Sequence, residues 1–390
     1  MSARNNRHDA SQRWGDVSPF TFPSPIYVLR GVVALLCCLC SCGPSPKRLP
    51  VDRREFSSTL DKSALTPEEL ASRLSQTIEA GFVRQLNTDK NAAWQIMHGV
   101  LCYGDKLQIR DEHGGTTQAT DYLLNGGLVD GFELQLGDDL LPVTQNLGVR
   151  ARLEPGSYTG QGHVDQWIAV LAMAGIPADR KVKIGTSEKL VSDWARQAQY
   201  DVTRNPLDEF GWTLIALTYY LPEEPSWIAQ GDARVTWEDL VAVEVDQDLN
   251  MAACGGTHRL CGIVHALQQK KRLKLSDSAV WQRADELVEK CKAEVREFRA
   301  PDGALSCNYF VRPGTSKDLS TELASAGHLF EFYALAATDD ELKEPWVEVA
   351  ANHICDLLDA AQAVDLECGA LYHAIHGLKI YHQRRFESDD

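Results

Sequence analysis

The sequence predicts an all-α protein, an (α/α)6 toroid of alternating inner and outer helices, and three observations predict it. Twelve segments repeat apolar residues at helical spacing. These segments alternate in kind. Six are amphipathic with charged faces: 67–86, 117–124, 188–199, 237–245, 277–298 and 344–361. Six are apolar nearly all round and rich in glycine, histidine and aromatic residues: 92–103, 163–174, 211–221, 255–268, 326–336 and 368–381. A helix without a polar face is buried on most sides, whereas its amphipathic neighbour keeps one face in water. Strand signal is weak, and only Gly131-Phe-Glu-Leu-Gln-Leu136 alternates in the manner of a short hairpin within a loop. Two concentric layers satisfy all three observations. An open stack of helix pairs is the alternative, but such a stack has a polar inner face and capping repeats at its ends, and neither is visible.

In chain order, residues 1–25 are mostly polar and end in Ser18-Pro-Phe-Thr-Phe-Pro-Ser-Pro25. Arg30 then flanks an apolar run from Val32 to Leu39, and Leu39-Cys40-Ser41-Cys42 sets a small residue just before a cysteine. That order resembles a bacterial lipoprotein signal, and the run is too short to span a bilayer. The resemblance implies cleavage before Cys42, a lipid on Cys42, translation starting further downstream near Val28, and an extracytoplasmic protein anchored to the envelope membrane. The bland reading is an apolar segment that happens to be rich in cysteine. Residues 43–65 begin Gly43-Pro-Ser-Pro-Lys-Arg-Leu-Pro50 and read as a flexible tether. The toroid domain spans 66–390 and starts at Thr66-Pro-Glu-Glu, with Thr66 as N-cap and Pro67 at the first helical position.

A chain of 390 residues with 44% hydrophobic residues is long enough for a sizeable core. Its net charge of −16, with lysines and arginines scattered, argues against nucleic acid as a partner. Cys37, Cys38, Cys40 and Cys42 fall in the signal. The seven body cysteines are odd in number and irregularly spaced, so they are not a disulfide framework.

The stretch from Cys254 to Leu267 organises the rest. At about 100° per residue, Cys254, His258, Cys261 and His265 share one stripe of a helix. The turn Ala300-Pro-Asp-Gly-Ala-Leu-Ser306, ahead of Tyr309-Phe310, is similar to the repeat turn of terpenoid cyclases and protein prenyltransferases, a superfamily of α/α toroids. The helix starts Gly162-His163, Gly255-Gly256-Thr-His258 and Gly327-His328 fit that plan. They also resemble a planctomycete-type family of bacterial lipoproteins without assigned activity. The alternating helices carry the resemblance across 66–383. The superfamily's chemistry does not follow with it. An Asp-x-Asp-Asp acid motif is missing, Asp339-Asp340-Glu341 reads as a solvated loop, and Asp365-Leu-Glu-Cys368 with His373 is one residue out of register with the prenyltransferase zinc pattern.

In a toroid the inner-helix N-termini converge on one end of the cavity, where free N–H groups favour anions. The candidate catalytic residues there are His163, Asp165, His258, Arg259, His328, Glu331 and Glu367, with His98 later in its helix. Acids and bases gathered in this way suit a hydrolase or lyase. The implied ligand is a small molecule or glycan, with envelope glycans or isoprenoid lipids as substrates. Against this, a buried histidine after glycine often caps the neighbouring backbone, and Glu331 could pair with Arg259 as a structural ion pair. Cys261, His265 and His376 read as core. On that view the protein is a scaffold or binding module without turnover. Recurrence favours the functional reading, because apolar packing does not require histidine at four comparable positions. Zinc is the candidate cofactor. Cys254 and His258 lie one turn apart, Cys368 and His373 begin another inner helix, and His328 is a substitute for His373. Phosphate loops, Gly-x-Ser-x-Gly elbows and His-Glu-x-x-His helices are all missing, while a cysteine nucleophile remains open at Cys254 or Cys368.

Overall fold

A computed structural model describes residues 65–82, 84–140, 147–206 and 209–387. The signal segment, Cys42 and the tether lie outside the described residues. The protein is mostly helical with small sheets. Its helices are α1 (Pro67–Phe82), α2 (Ala93–Tyr103), α3 (Ala119–Leu124), α4 (Gln166–Met173), α5 (Val191–Asp201), α6 (Gly211–Tyr220), α7 (Trp237–Val245), α8 (Thr257–Leu273), α9 (Ala279–Phe298), α10 (Leu319–Ala336), α11 (Pro345–Ala360) and α12 (Cys368–Phe386). Every segment predicted helical contains one. Among these helices none is long and apolar enough to cross a membrane.

Burial follows the sequence pattern. α9 buries Trp281, Ala284, Val288, Cys291 and Val295, one stripe at spacings of three and four, and leaves its other faces in water. α6, by contrast, buries every residue from Gly211 to Thr218. The apolar helices pack on one another in the order α2, α4, α6, α8, α10, α12, and α12 returns to α2. The amphipathic helices pack against these: α5 touches α4 and α6, α7 touches α6 and α8, α9 touches α8 and α10, α11 touches α10 and α12, α1 touches α12 and α11, and α3 touches α2.

Two of these contacts are unusually close because glycines face backbone. A Cβ on Gly327 of α10 would stand 2.7 Å from the Ala374 nitrogen of α12, and one on Gly262 of α8 would stand 2.4 Å from the Gly211 oxygen of α6. Any larger residue would push these helices apart.

Short strands were under-read in the sequence. The alternating stretch after Gly131 does pair, as β4 (Leu134–Asp139) with β5 (Leu147–Ala151). Three further pairs also form: β2 (Gln108–Arg110) with β3 (Thr116–Gln118), β6 (Lys181–Ile184) with β7 (Ser187–Leu190), and β8 (Ser226–Ala229) with β9 (Ala233–Thr236). β1 (Leu86–Asn87) adds to β2 in parallel. The three hairpins join α2 to α3, α4 to α5 and α6 to α7, and each runs directly into the N-terminus of the outer helix. After β9, Thr236 and Asp239 make a reciprocal capping box that starts α7.

Candidate functional site

The inner helices bring four imidazoles together. His258 of α8, His328 of α10 and His373 of α12 form a mutual cluster, with ring centroids 5.0 Å apart for His258–His328, 5.0 Å for His258–His373 and 4.1 Å for His328–His373. His98 of α2 joins it at 5.4 Å from His373. Three of the four recurrent histidines named from the sequence therefore meet. His163 does not join them. It hydrogen-bonds Glu209, and its ring lies 6.1 Å from Trp212, which in turn lies 4.5 Å from His258.

Hydrogen bonds set the tautomers. Nδ1 of His98 donates to the Trp94 carbonyl at 2.6 Å, and Nδ1 of His328 donates to the Ala324 carbonyl at 2.7 Å. Nδ1 of His373 contacts Glu331 Oε2 at 2.6 Å, while the other oxygen of Glu331 takes Nδ1 of His376 at 2.5 Å. In the neutral rings of His98 and His373 Nε2 is left as an acceptor, while the second nitrogen of His328 meets Cys254. Nε2 of His258 is buried without a hydrogen-bond partner, a rare condition for a polar atom.

Charge is distributed unevenly over the cluster. Burial, followed by His373, pushes His98 down to about 4. Burial and the neighbouring imidazoles hold His258 well below its ordinary range. Burial opposes charge on His328 as well, but Cys254, through its charge and a hydrogen bond, lifts His328 to about 9. Burial alone would raise Glu331, yet His373 and His376 hold it well below the usual carboxylate range.

Cys254 reaches the cluster by a route different from the expected one. The helix begins at Thr257, so Cys254 does not share its stripe. It lies in a turn with φ 51° and ψ 35°, followed by Gly255 at φ 63° and Gly256 at φ 79°. Left-handed backbone costs a non-glycine residue about 1–2 kcal/mol. A Cβ at 255 would stand 2.3 Å from Cγ of Tyr309, so the turn is also packed from outside. The Cys254 sulfur and a ring nitrogen from each of His258 and His328 all lie within 4.8 Å of one another. This group keeps Cys254 and His258 of the four candidates, takes His328 in place of His373, and leaves out Cys368. Cys368 and His373 are five residues apart and diverge by about 140° around α12, so only His373 faces the cluster. The Cys368 thiol, raised to about 12 by burial and by Glu367 and Asp365, is not in the group.

A cavity of about 180 Å³ opens beside His258, lined by His163, Glu209, Trp212, Met251, Arg259 and Glu244 among others. Arg259 Nε meets Glu244 Oε2 at 2.6 Å, with both side chains buried. Glu244 also accepts from the Phe210 amide at the start of α6. Arg259 therefore pairs with an outer-helix acid and not with Glu331. Glu244, Glu209 and Trp212 were missed in the sequence because each reads as an ordinary residue of its own segment.

The two remaining candidates hold helix ends. Asp165 has φ 58° and accepts from Thr213 Oγ1 at 2.6 Å and Asn205 Nδ2 at 3.3 Å, joining the start of α4 to α6. Burial raises its carboxyl to about 6. Glu367 accepts from the Gly369 and Ala370 amides at 2.8 and 2.9 Å, which makes it the N-cap of α12, and from Trp94 Nε1 at 3.1 Å. Comparison with family models, curated proteins and solved structures finds no match to this chain.

Proposed function

We propose that the chain is an extracytoplasmic protein, tethered to the membrane through a lipid on Cys42, whose helices close into an (α/α)6 toroid and whose cavity binds and acts on a small polar group. The order of packing among the apolar helices, with α12 returning to α2, supports closure. The ligand is part of an envelope glycan or an isoprenoid lipid, and a cavity of about 180 Å³ admits one small group of either, entering end-on.

One observation carries the catalytic reading. Glu331 is buried and holds His373 and His376 by one oxygen each, while His373 packs against His258 and His328. A carboxylate that fixes an imidazole's tautomer and turns its second nitrogen inward is the arrangement a general base needs. Apolar packing would be served better by leucine at all of these positions. A second reading is favoured by His98 and His328, whose Nδ1 atoms are satisfied within their own helices as structural histidines would be.

The test is turnover of chromogenic esters, glycosides and phosphate esters by the native protein, beside Glu331→Gln and His373→Gln. Turnover of one class, lost in both variants while binding persists, is the expected result. If no class turns over and the variants lose only melting temperature, the scaffold reading takes its place.

A further inference from the structure

We propose that Cys254, His258 and His328 hold a single zinc ion, with water in its fourth position facing the cavity. The inference deepens the reading of the cavity as catalytic and supplies its electrophile. Three independent features converge on it. The donor atoms of these residues lie within 4.8 Å of one another. Tetrahedral zinc with bonds of about 2.3 Å to sulfur and 2.0–2.1 Å to nitrogen sets its ligands about 3.5 Å apart. Second, the buried Nε2 of His258 has no hydrogen-bond partner, and a metal bond answers that need where the protein offers nothing. Third, His328 donates its Nδ1 proton to the Ala324 carbonyl at 2.7 Å, the outer bond that commonly orients a metal-bound imidazole, and its other nitrogen meets the Cys254 sulfur, which a shared ion would bridge.

The ligand types choose the metal. One thiolate and two imidazoles suit zinc, while magnesium and calcium require oxygen donors. Three protein ligands leave one position open, the catalytic form of a zinc site, in which bound water loses a proton near neutral pH. His373 packs against both histidine ligands but lies outside the donor group, with Nδ1 on Glu331. Its place is that of the base taking the proton from this water. Zinc held by Cys254, His258 and His328 would supply a Lewis acid and an acidified water, and His373, with Nδ1 fixed on Glu331, would hold the proton that this water gives up.

The turn explains why a strained cysteine is tolerated. Cys254, Gly255 and Gly256 are all left-handed, and in this turn the Cys254 sulfur lies within 4.8 Å of a ring nitrogen of His258 and of His328.

The experiment uses the protein purified without chelator or affinity histidines, then loaded with zinc or cobalt and dialysed. One equivalent of zinc is expected, and the cobalt form should show a thiolate charge-transfer band. Cys254→Ser should remove that band and weaken zinc by at least about tenfold, whereas Cys368→Ser should change neither. His328→Gln serves as the second variant should Cys254→Ser fail to fold. Less than about a tenth of an equivalent after loading, a band insensitive to Cys254→Ser, or iron or copper retained in preference to zinc would each overturn the assignment. Chelation separates this inference from the broader one. Zinc bound without turnover leaves the site standing and removes the enzyme, whereas turnover untouched by chelator removes the site alone.

Discussion

Gly377 of α12 lies directly on the backbone of Glu331 in α10, so near that a Cβ at 377 would stand 2.8 Å from the Glu331 nitrogen. His376 and His373, one and four residues before that glycine on α12, and Gly327, four residues before Glu331 on α10, complete the junction. The close approach lets one short carboxylate reach both imidazoles. Gly377→Ala should therefore do more than crowd a core: it should destabilise by about 1–3 kcal/mol and also spoil the Glu331 hydrogen bonds. Urea unfolding of Gly377→Ala beside Gly162→Ala, a glycine without positive φ where a Cβ would meet nothing nearer than 3.4 Å, checks the first part. Equal stability of Gly377→Ala and wild type would mean that α10 and α12 are not packed as described.

Removing the carboxylate itself is the sharper change. Glu331→Ala leaves two buried imidazoles facing each other without the group that orients them, and loss of one member of a buried charged set typically costs about 3–5 kcal/mol. Glu331→Gln keeps one acceptor oxygen and should cost less. A ranking of wild type, then Gln, then Ala in denaturation midpoint is expected. The reverse order of Gln and Ala would show that the polar network is not satisfied by hydrogen bonding.

Much of this was legible in the sequence, and the remainder has physical reasons. The long amphipathic helices announce themselves because each carries a periodic signal, as α9 does over Trp281, Ala284 and Val288. The hairpins β6–β7 and β8–β9 do not, since four-residue strands hold too few alternations to separate from loops. Of the site, histidine spacing was visible in His258, His328 and His373. The partner of Arg259 was not, because Glu244 sits on α7, an outer helix whose acids read as solvated. The position of Cys254 was misread as helical because nothing local distinguishes a left-handed cysteine before two glycines from the first turn of a helix.

Asp165 gives a pH dependence whose sign is fixed. Its carboxyl is raised by burial from 3.8 to about 6, so the folded chain holds this proton more tightly than the unfolded chain. Its contribution to stability is fully present below pH 3.8 and is lost as pH rises through about 6. Asp165→Asn should flatten that part of the curve, since asparagine still accepts from Thr213 Oγ1. Melting temperatures of the two proteins between pH 4 and pH 7 make the comparison, with the difference growing toward the neutral end. Parallel curves would show that Asp165 does not titrate there.

The N-terminal segment makes a prediction independent of the cavity. Mature protein should begin at Cys42 and carry lipid, and Cys42→Ala should leave an uncleaved precursor that no longer incorporates radiolabelled lipid. Native protein isolated with Met1 in place, in the soluble cytoplasmic fraction, would dispose of the lipoprotein reading while leaving the cavity untouched.

The last helix is the most consequential element for folding. α12 packs against α10, α2 and α1, so it joins the latest part of the domain to the earliest. It buries Leu371, Tyr372, Ile375, Leu378 and Tyr381 while also supplying His373 and His376. Without it, the apolar faces of α2 and α10 that now cover it would meet water. At roughly 1.5–3 kcal/mol for each large apolar side chain exposed, the loss exceeds the whole stability of an ordinary domain. A fragment of residues 60–360 should therefore be insoluble or molten, with no cooperative thermal transition. A soluble fragment that melts cooperatively would show that the first eleven helices form a domain by themselves, and that the return of α12 to α2 is not what holds the protein together.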